Sequence, residues 1–497
     1  MNRILNAEAL SDHGHIQGRR LMLDLLEAGL RAADPYYAMQ AAMHLDGDIL
    51  TLGGPLYAAT GTPLPGPEVI DLRTIKRIFV FGGGKGITRA AKAMEDLLGD
   101  RLTDGHLIEK HGTPHELQRI GVTYGAHPVP DEGCAAGCQR IIEMAADLRP
   151  DDLVLTTMGN GVGSLLTLPV EQVSLDDVRR VVYAFQIEKG GPTVDLISIR
   201  NHLDQIKGGK FTRYLRPARV VHMLAFARPA AYEDITHRGV VRWLHVLPDE
   251  TSHEAAIESL KKWDLWEETP ESVRRYLLHG KPPIANLSIA EFEASQQRVF
   301  FVFPPELGMV PTVKKKAEAM GFRTHVLFNN YTMKMEAHQA GRMVANMALH
   351  SEMDCDPFVP PCVLLSGGEM IVTVGRETGM GGRNQEYTVA AAAELGLSRQ
   401  IVMASVDSDG TDGPGHQFVQ GEEYARIPVL TGGIVDYSTV QRAQERGIDL
   451  AAAVKRHDTS PALYALDDGI VTTPAMSMGD LSITLILGHS PDIKRPH

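Results

Sequence analysis

The chain has 497 residues, enough for two large domains or three ordinary ones, and its 49 Lys and Arg against 62 Asp and Glu leave a formal charge of −13. That balance excludes a nucleic-acid polymer or an anionic membrane as partner, since either calls for clustered basic residues, and a hydrophobic fraction of 43% excludes wholesale disorder. Gly 48 and Pro 29 without a fixed period point to glycine-rich loops, and four cysteines are too few for a disulfide scaffold and suit a reducing cytoplasm.

The opening segment, MNRILNAEALSDHGHIQGRR, lacks the apolar core of a secretory signal. The longest apolar runs, such as 221–227 and 299–303, are strand-sized, far from the roughly 18 residues of a membrane span. Residues 17–31 predict a helix with Leu21, Leu25 and Leu26 on one face, stopping at Ala33-Asp34-Pro35. Residues 46–70, broken by Gly53-Gly54-Pro55 and by Gly61 to Pro67, read as a surface excursion. A strand over 77–81, the loop GGGKG at 82–86 and a helix over 87–98 then follow. A helix near 134–148, a strand over 153–157 and the loop GNGVG at 159–163 make a second such unit. Strand, glycine loop and helix in repetition predict a parallel α/β sheet with ligand at the carboxyl ends of its strands.

Residues 258–298, with Pro282-Pro283, read as helices and connections, and 298–303, 310–320 and 324–327 as one more strand–helix–strand unit. Past an acidic linker at 351–361, short strands at 362–365, 370–374, 401–405 and 481–487 alternate with glycine loops. A boundary at 355/356 gives domains 1–355 and 356–497, two α/β domains with a ligand cleft between them.

Four loops carry the polar chemistry. In GGGKG, backbone N–H groups at a helix start and the charge of Lys85 favour an anion; the competing reading is a tight turn with a solvated lysine. No Ser or Thr follows Lys85, so the loop is not a P-loop, and no G-x-G-x-x-G fits. In the second loop Gly159, Gly161 and Gly163 let a phosphate approach the backbone and Ser164 offers a hydroxyl, or else caps a helix. Ser366-Gly-Gly-Glu369 and Gly379-Met-Gly-Gly-Arg383-Asn384 place Arg383 at a helix start, where its fork suits a carboxylate or phosphate, with Glu369 able to hold Arg383 or a metal. Asp407, Asp409 and Asp412 put three carboxylates into six residues, hard oxygen ligands for Mg²⁺ or simply a solvated Asx-turn loop; Phe418 stands where an EF-hand has its twelfth-position Glu. Cys134 and Cys138 read as small-residue packing ahead of a metal pair, His127 as part of a rigid His-Pro turn ahead of a catalytic base, and the 200–210 stretch with Lys207 as a phosphate contact or a helix cap.

Together these segments resemble the bacterial and archaeal glycerate 2-kinase family. The resemblance is carried by FGGGKG (81–86), AHPVPDEG (126–133), IRNHLDQIKGGK (199–210), LSGGE (365–369), GMGGRNQE (379–386), DGTDGP (409–414) and GGIVDYST (432–439). It implies a Rossmann-like parallel α/β/α sandwich followed by a smaller MOFRL-type α/β domain, transferring the γ-phosphoryl of ATP, with Mg²⁺, to a hydroxyl of glycerate or a related small hydroxy compound. On the matching positions Lys85 and Arg383 are the family's active-site cations, Asp409 and Asp412 match family acids, and Asp407 stands where the family has glycine. The expected roles are therefore catalytic for Lys85, Arg383 and Asp409, and metal-binding for Asp407 and Asp409. Nucleotide binding falls to Gly82, Gly83, Gly84, Gly159, Asn160, Gly161, Gly163, Ser164 and Lys207, and substrate binding to Glu369, Asn384 and Asp412.

The chain departs from the family pattern in the 158–166 loop, at 225–231, at 473–478, where polar Gly-Thr-Asn becomes Met476-Ser-Met478, and in an apparent insertion at 415–430. The expectation is a cytoplasmic monomer or homodimer handling a nucleotide and a small hydroxy substrate. The alternatives are the same fold with non-kinase chemistry on a small anion, or a non-catalytic binding paralogue.

Overall fold

Short runs of apolar residues set the strands, and the chain divides into two compact units, Pro35–Pro305 and Met1–Asp34 with Glu306–His497. The structure is a computed structural model describing residues 2–282, 284–374, 379–419, 421–476 and 478–493. Pro283, Ser477 and, in the 415–430 segment, Gln420 lie outside the described residues.

In the Pro35–Pro305 unit, β1 (Met43–Asp46), β2 (Ile49–Leu52) and β3 (Glu68–Asp71) form a small antiparallel sheet. This corrects the surface-excursion reading of 46–70. Leu50, Leu52 and Ile70 are fully buried, and Phe301 N–H donates to Tyr57 O at 2.8 Å. Alternation over four residues is too short a pattern to stand out among the glycines and prolines around it.

The main sheet of this unit is built from β4 (Arg77–Gly83), β5 (Asp104–Lys110), β6 (Ile120–Gly125), β7 (Asp152–Met158), β8 (Arg219–Ala227) and β9 (Arg298–Phe303). Their order is β6-β5-β4-β7-β8-β9 and every neighbouring pair is parallel. The central strands β4 and β7 read as near-continuous apolar runs because both faces are covered. The helix Ile87–Leu98 turns Ile87, Ala90, Ala91, Met94 and Leu98 inward at helical spacing. This strand order is the doubly wound one, whose direction reverses between β4 and β7, and ligands settle at such switch points beyond the carboxyl ends. Both glycine loops leave from there.

The second unit carries β10 (Arg323–Glu336), β11 (Cys362–Ile371), β12 (Ile401–Asp407), β13 (Gly432–Asp436), β14 (Gly469–Ile470) and β15 (Asp480–Ile486). Their order is β10-β11-β15-β12-β13-β14; β10 and β11 run parallel and the other neighbours antiparallel. One face packs against the helices Ile16–Ala32 and Met309–Ala319, the other against Ala337–Asp354 and Arg383–Glu394.

Two sequence expectations change here. The 298–327 segment is not one strand–helix–strand unit, since β9 closes the first sheet and β10 opens the second. The compact units divide at 34/35 and 305/306, not at 355/356, because the N-terminal helix completes the second core. Its Arg19 is fully buried and donates from Nε to Asp436 Oδ2 at 2.6 Å and from Nη1 to Asp468 Oδ1 at 2.8 Å.

Candidate functional site

In the Pro35–Pro305 unit the two glycine loops lie backbone to backbone. Lys85 N–H donates to Asn160 O at 2.7 Å and Gly159 N–H to Gly83 O at 3.2 Å. Gly84 has φ +146°, and a Cβ there would meet Gly159 N at 2.9 Å, so only glycine permits this approach. Gly82 and Gly83 finish strand β4. Gly161, at φ +81°, would place a Cβ 2.9 Å from Lys85 Cγ and 3.1 Å from His127 Cδ2, and a Cβ on Gly163 would fall 3.2 Å from Arg200 Nη1. Lys85, Asn160, Gly161 and Gly163 are thus brought together, and His127 and Arg200 join them.

The helix start after GGGKG already holds an anion of the protein's own. Glu109, fully buried at the end of β5, accepts from Gly86 N–H at 2.9 Å, from Lys110 N–H at 2.8 Å and from Thr88 N–H and Oγ1 at 3.3 Å. Burial pushes its carboxyl up while these donors pull it back. The helix N-terminus is therefore capped internally by Glu109.

Two expected nucleotide contacts sit elsewhere. Ser164 is buried in the short helix Val162–Leu165 and donates from Oγ to Ala126 O at 3.1 Å. Lys207 is buried, and its three Nζ protons go to Leu166 O, to Thr167 Oγ1 at 2.8 Å and to Asp204 Oδ2 at 2.7 Å. Both hold the segment behind the 159–163 loop instead of facing a ligand.

Arg200 and His127 have a different character. Arg200 Nη2 donates to Pro128 O at 3.2 Å and Gln186 Oε1 at 3.0 Å. Among the described residues no carboxylate lies within ion-pair distance of it, and burial pushes its pKa down to about 10. Burial, then the charges of Lys85, Arg200 and Lys110, push His127 down to about 4, so its imidazole is neutral at pH 7. The His-Pro turn hid His127 in the sequence; its signal was the AHPVPDEG string.

In the second unit, the ends of three neighbouring strands gather carboxylates around one guanidinium. Arg383, first residue of its helix, donates from Nε to Asp480 Oδ2 at 2.5 Å and from Nη2 to Asp480 Oδ1 at 2.8 Å and Asp407 Oδ2 at 2.6 Å. Glu369 Oε1 stands 3.6 Å from Nη2. Asp407 and Asp480 are register partners on β12 and β15. Asp409 N–H donates to Asp407 Oδ1 at 2.9 Å, and Asp409 Oδ1 accepts Thr411 N–H at 2.8 Å. Burial and the charges of Asp409 and Asp480 raise the Asp407 carboxyl more than Arg383 lowers it, and burial also raises Asp480. Asp480 lies 97 residues from Arg383, a separation over which the sequence alone does not assign it to this site.

Asn384 and Asp412, expected at the substrate, are buried against each other. Asp412 accepts from Asn384 N–H at 3.2 Å, Asn384 Nδ2 at 3.1 Å and Gln385 N–H at 2.9 Å, capping the helix Arg383–Glu394, while Asn384 Oδ1 accepts from Ser405 Oγ at 2.5 Å. As with Glu109, the anion at this helix start is internal.

Among the described residues no group of three or more His, Cys, Asp or Glu side chains is placed to hold a metal ion, and no helix is long and apolar enough to cross a membrane. Asp407 and Asp409 nonetheless fit Mg²⁺. They are adjacent hard-oxygen donors with excess negative charge, and Mg²⁺ is commonly held by one or two carboxylates plus phosphate oxygens.

The profile of a domain family of unknown function, DUF4147, matches residues 21–278, and that of the MOFRL family matches 362–477. The glycerate 2-kinase of Pyrococcus horikoshii is 27% identical over 92% of this chain and 94% of its own length. The D-glycerate 2-kinase of Thermotoga maritima is 29% identical over 84% and 93% respectively. The crystal structure of a glycerate kinase from Thermotoga maritima superposes with a TM-score of 0.71 at 26% identity, covering 94% of this chain and 99% of that one. With one domain profile spanning more than half of its length and the other following it, the chain belongs to the glycerate kinase family.

Proposed function

We propose that this protein is an ATP-dependent kinase that transfers the γ-phosphoryl group to a hydroxyl of glycerate or a closely related small hydroxy acid. The observation that carries this reading is the span of the likeness: kinases of glycerate match 84–92% of the chain. Phosphoryl transfer asks a protein chiefly for positioning and charge neutralisation, and the residues of both units are of that kind.

Lys85 and the backbone of Gly84, Asn160, Gly161 and Gly163 bind the phosphates. Arg383, held by Asp480, Asp407 and Glu369, neutralises the transferring phosphoryl or the carboxylate of the acceptor. Asp407 and Asp409 would hold Mg²⁺, which when bound screens the phosphate oxygens from one another. Asp409 additionally orients the acceptor hydroxyl. Glu109 and Asp412 keep the two loops in shape from behind. Met476 and Met478, where the family pattern has polar residues, favour an acceptor less polar than glycerate.

Incubation of the full chain with ATP, Mg²⁺ and a panel of hydroxy acids, followed by ³¹P NMR, tests the reading. A new phosphomonoester resonance with at least one acceptor is expected; ATP stable across the whole panel removes it. Cytoplasmic location and a monomeric or homodimeric state complete the proposal, the latter measurable by light scattering.

A further inference from the structure

The residues on either side of Arg383 rest on one turn of the second unit, 457–460. Ahead of the arginine, Met380 N–H donates to Asp458 Oδ1 at 2.9 Å and Ser460 N–H donates to Met380 O at 2.8 Å. A Cβ on Gly379 or Gly381 would fall 2.5 or 2.8 Å from His457 O, so only glycine lets these two stretches of backbone lie so close. After the arginine, Ser460 Oγ donates to Gln385 Oε1 at 2.6 Å, and His457 Nδ1 bonds Glu386 Oε1 at 2.7 Å. The first helical turn is thus anchored residue by residue: Arg383 to Asp480, Asn384 to Asp412, Gln385 to Ser460 and Glu386 to His457. His457 itself sits at φ +53°, a left-handed backbone that strains any residue with a side chain and that glycine adopts freely. The turn keeps an imidazole there nonetheless, and the imidazole meets Glu386.

We propose that Glu386 and His457 are positioning residues for Arg383: their bond fixes the 457–460 turn as the seat on which the chain enters and leaves that arginine. The assignment deepens the kinase reading above and rests on it for what Arg383 meets. Glu386 is 1% exposed, and its Oε2 has no hydrogen-bond partner, His338 Nδ1 standing 3.9 Å away. Burial pushes its carboxyl up, while the bond to His457 and the two imidazoles pull it back. A buried acid–imidazole pair contributes little net stability over an apolar pair of the same volume, so the geometry it imposes is what sets it apart. Here that geometry couples the imidazole on one side of the turn to the carbonyl of the same residue, which lies against Gly379 and Gly381. Loss of the bond frees the seat, and Arg383 shifts with it. A group that neutralises charge in a reaction acts only from its exact place, and a misplacement of about 1 Å can cost about a hundredfold in rate.

The test uses the full chain, with ATP and acceptor kinetics read separately and amide hydrogen exchange over 379–386 and 457–460 read by mass spectrometry. Glu386→Ala should lower kcat/KM for the acceptor about tenfold or more, as for loss of a charge-assisted bond, with KM for ATP within about twofold. Exchange at Met380 and Ser460 should quicken about tenfold, while the strand 401–407 keeps its protection. His457→Asn tolerates the left-handed backbone but is too short to reach Glu386, so it should reproduce both effects, and it serves if Glu386→Ala does not fold. The double variant should cost no more than either single one, because both remove the same bond. Glu386→Gln retains an acceptor for His457 and should recover most of the activity. Unchanged exchange in both folded single variants overturns the proposal. So does faster exchange with kcat/KM intact, a loss that falls on KM for ATP, or a Gln variant no better than Ala. Faster exchange confined to these two segments, in a protein that turns over no ATP with any hydroxy acid, would sink the kinase reading and leave the seat of Arg383 standing.

Discussion

Arg383 grips Asp480 with two of its nitrogens, Nε to Oδ2 at 2.5 Å and Nη2 to Oδ1 at 2.8 Å, on a carboxylate that is 1% exposed. This pair fixes the direction of the guanidinium, while Asp407 and Glu369 add negative charge on its far nitrogen. Losing Asp480 takes away two charge-assisted bonds of this guanidinium and leaves it to Asp407 and Glu369, at a cost of about 3 kcal/mol. Asp480→Ala should therefore lower both the melting temperature and kcat/KM, the latter by about a hundredfold at that energy.

Asp407→Asn should behave in the opposite way towards stability. One guanidinium faces Asp407, Asp480 and Glu369, with Asp409 beside them, so the cluster carries excess negative charge, and the Asp407 carboxyl is raised accordingly. A carboxyl raised in the folded state destabilises the fold once it ionises, and the amide cannot ionise. The variant should melt about 2 °C or more above wild type at pH 8 while losing activity if Asp407 is the Mg²⁺ ligand proposed above. A lower melting temperature at pH 8 would show that the Arg383 contact outweighs the repulsion.

These relationships differ in how far the sequence discloses them. GGGKG and GNGVG are local signals, since backbone approach at Gly84 and left-handed φ at Gly161 demand glycine where it stands. Glu109 is not legible in the same way. Its role depends on the β4–β5 register that sets Gly83 beside Ile108, and a lone Glu in a strand announces nothing. Asp412 is visible as an acid, but only the fold shows it reaching back to Asn384 and Gln385, where it is a cap and not a ligand contact. Lys207 is a similar case: a lysine beside two glycines is a fair phosphate candidate until burial and three internal acceptors take its protons. The N-terminal helix joins the second unit through Arg19 and Asp468, 449 residues apart, a distance over which composition and periodicity are silent.

Glu109 lends itself to a direct test. Glu109→Ala leaves the N–H groups of Gly86, Thr88 and Lys110 without an acceptor in a buried place, so a loss of about 2–3 kcal/mol is expected in urea unfolding. Because Gly86 adjoins Lys85, KM for ATP should rise together with that loss. Glu109→Gln, which keeps acceptor oxygen but one donor-side mismatch, should lie between. Equal stability of the alanine variant and wild type would exclude the capping role.

Arg3 offers a parallel case in the second unit. Its buried guanidinium donates to Thr473 Oγ1 and O, both at 2.8 Å, and to Ser408 O at 3.1 Å, tying together the two loops that flank Asp409. Arg3→Lys can satisfy only part of this set. It should lower kcat more than it raises KM for ATP, by about tenfold for one or two lost bonds, with the far-ultraviolet circular dichroism unchanged. A proportionate loss in ATP KM alone would place Arg3 outside the acidic loop's support.

Acid lability should follow from buried imidazoles. His222 is fully buried between Thr156 Oγ1 and Gln297 Oε1, each at 2.7 Å, and burial pushes its pKa down to about 4; burial does the same to His127 and His202. In the unfolded chain these rings protonate near pH 6.5. Between pH 6.5 and 4 the unfolded state therefore binds more protons at these rings than the folded one, so their contribution to stability falls as pH drops through that window and is constant above it. A shift of this size is worth up to about 3 kcal/mol for the fully buried His222. Melting temperatures recorded from pH 7.5 to 4.5 should decline below 6.5. In His222→Gln the neutral-pH melting temperature should drop, because the ring's packing is lost, but the slope between pH 6.5 and 4.5 should become shallower. If that variant keeps the full wild-type slope, the lability arises from other groups than this ring.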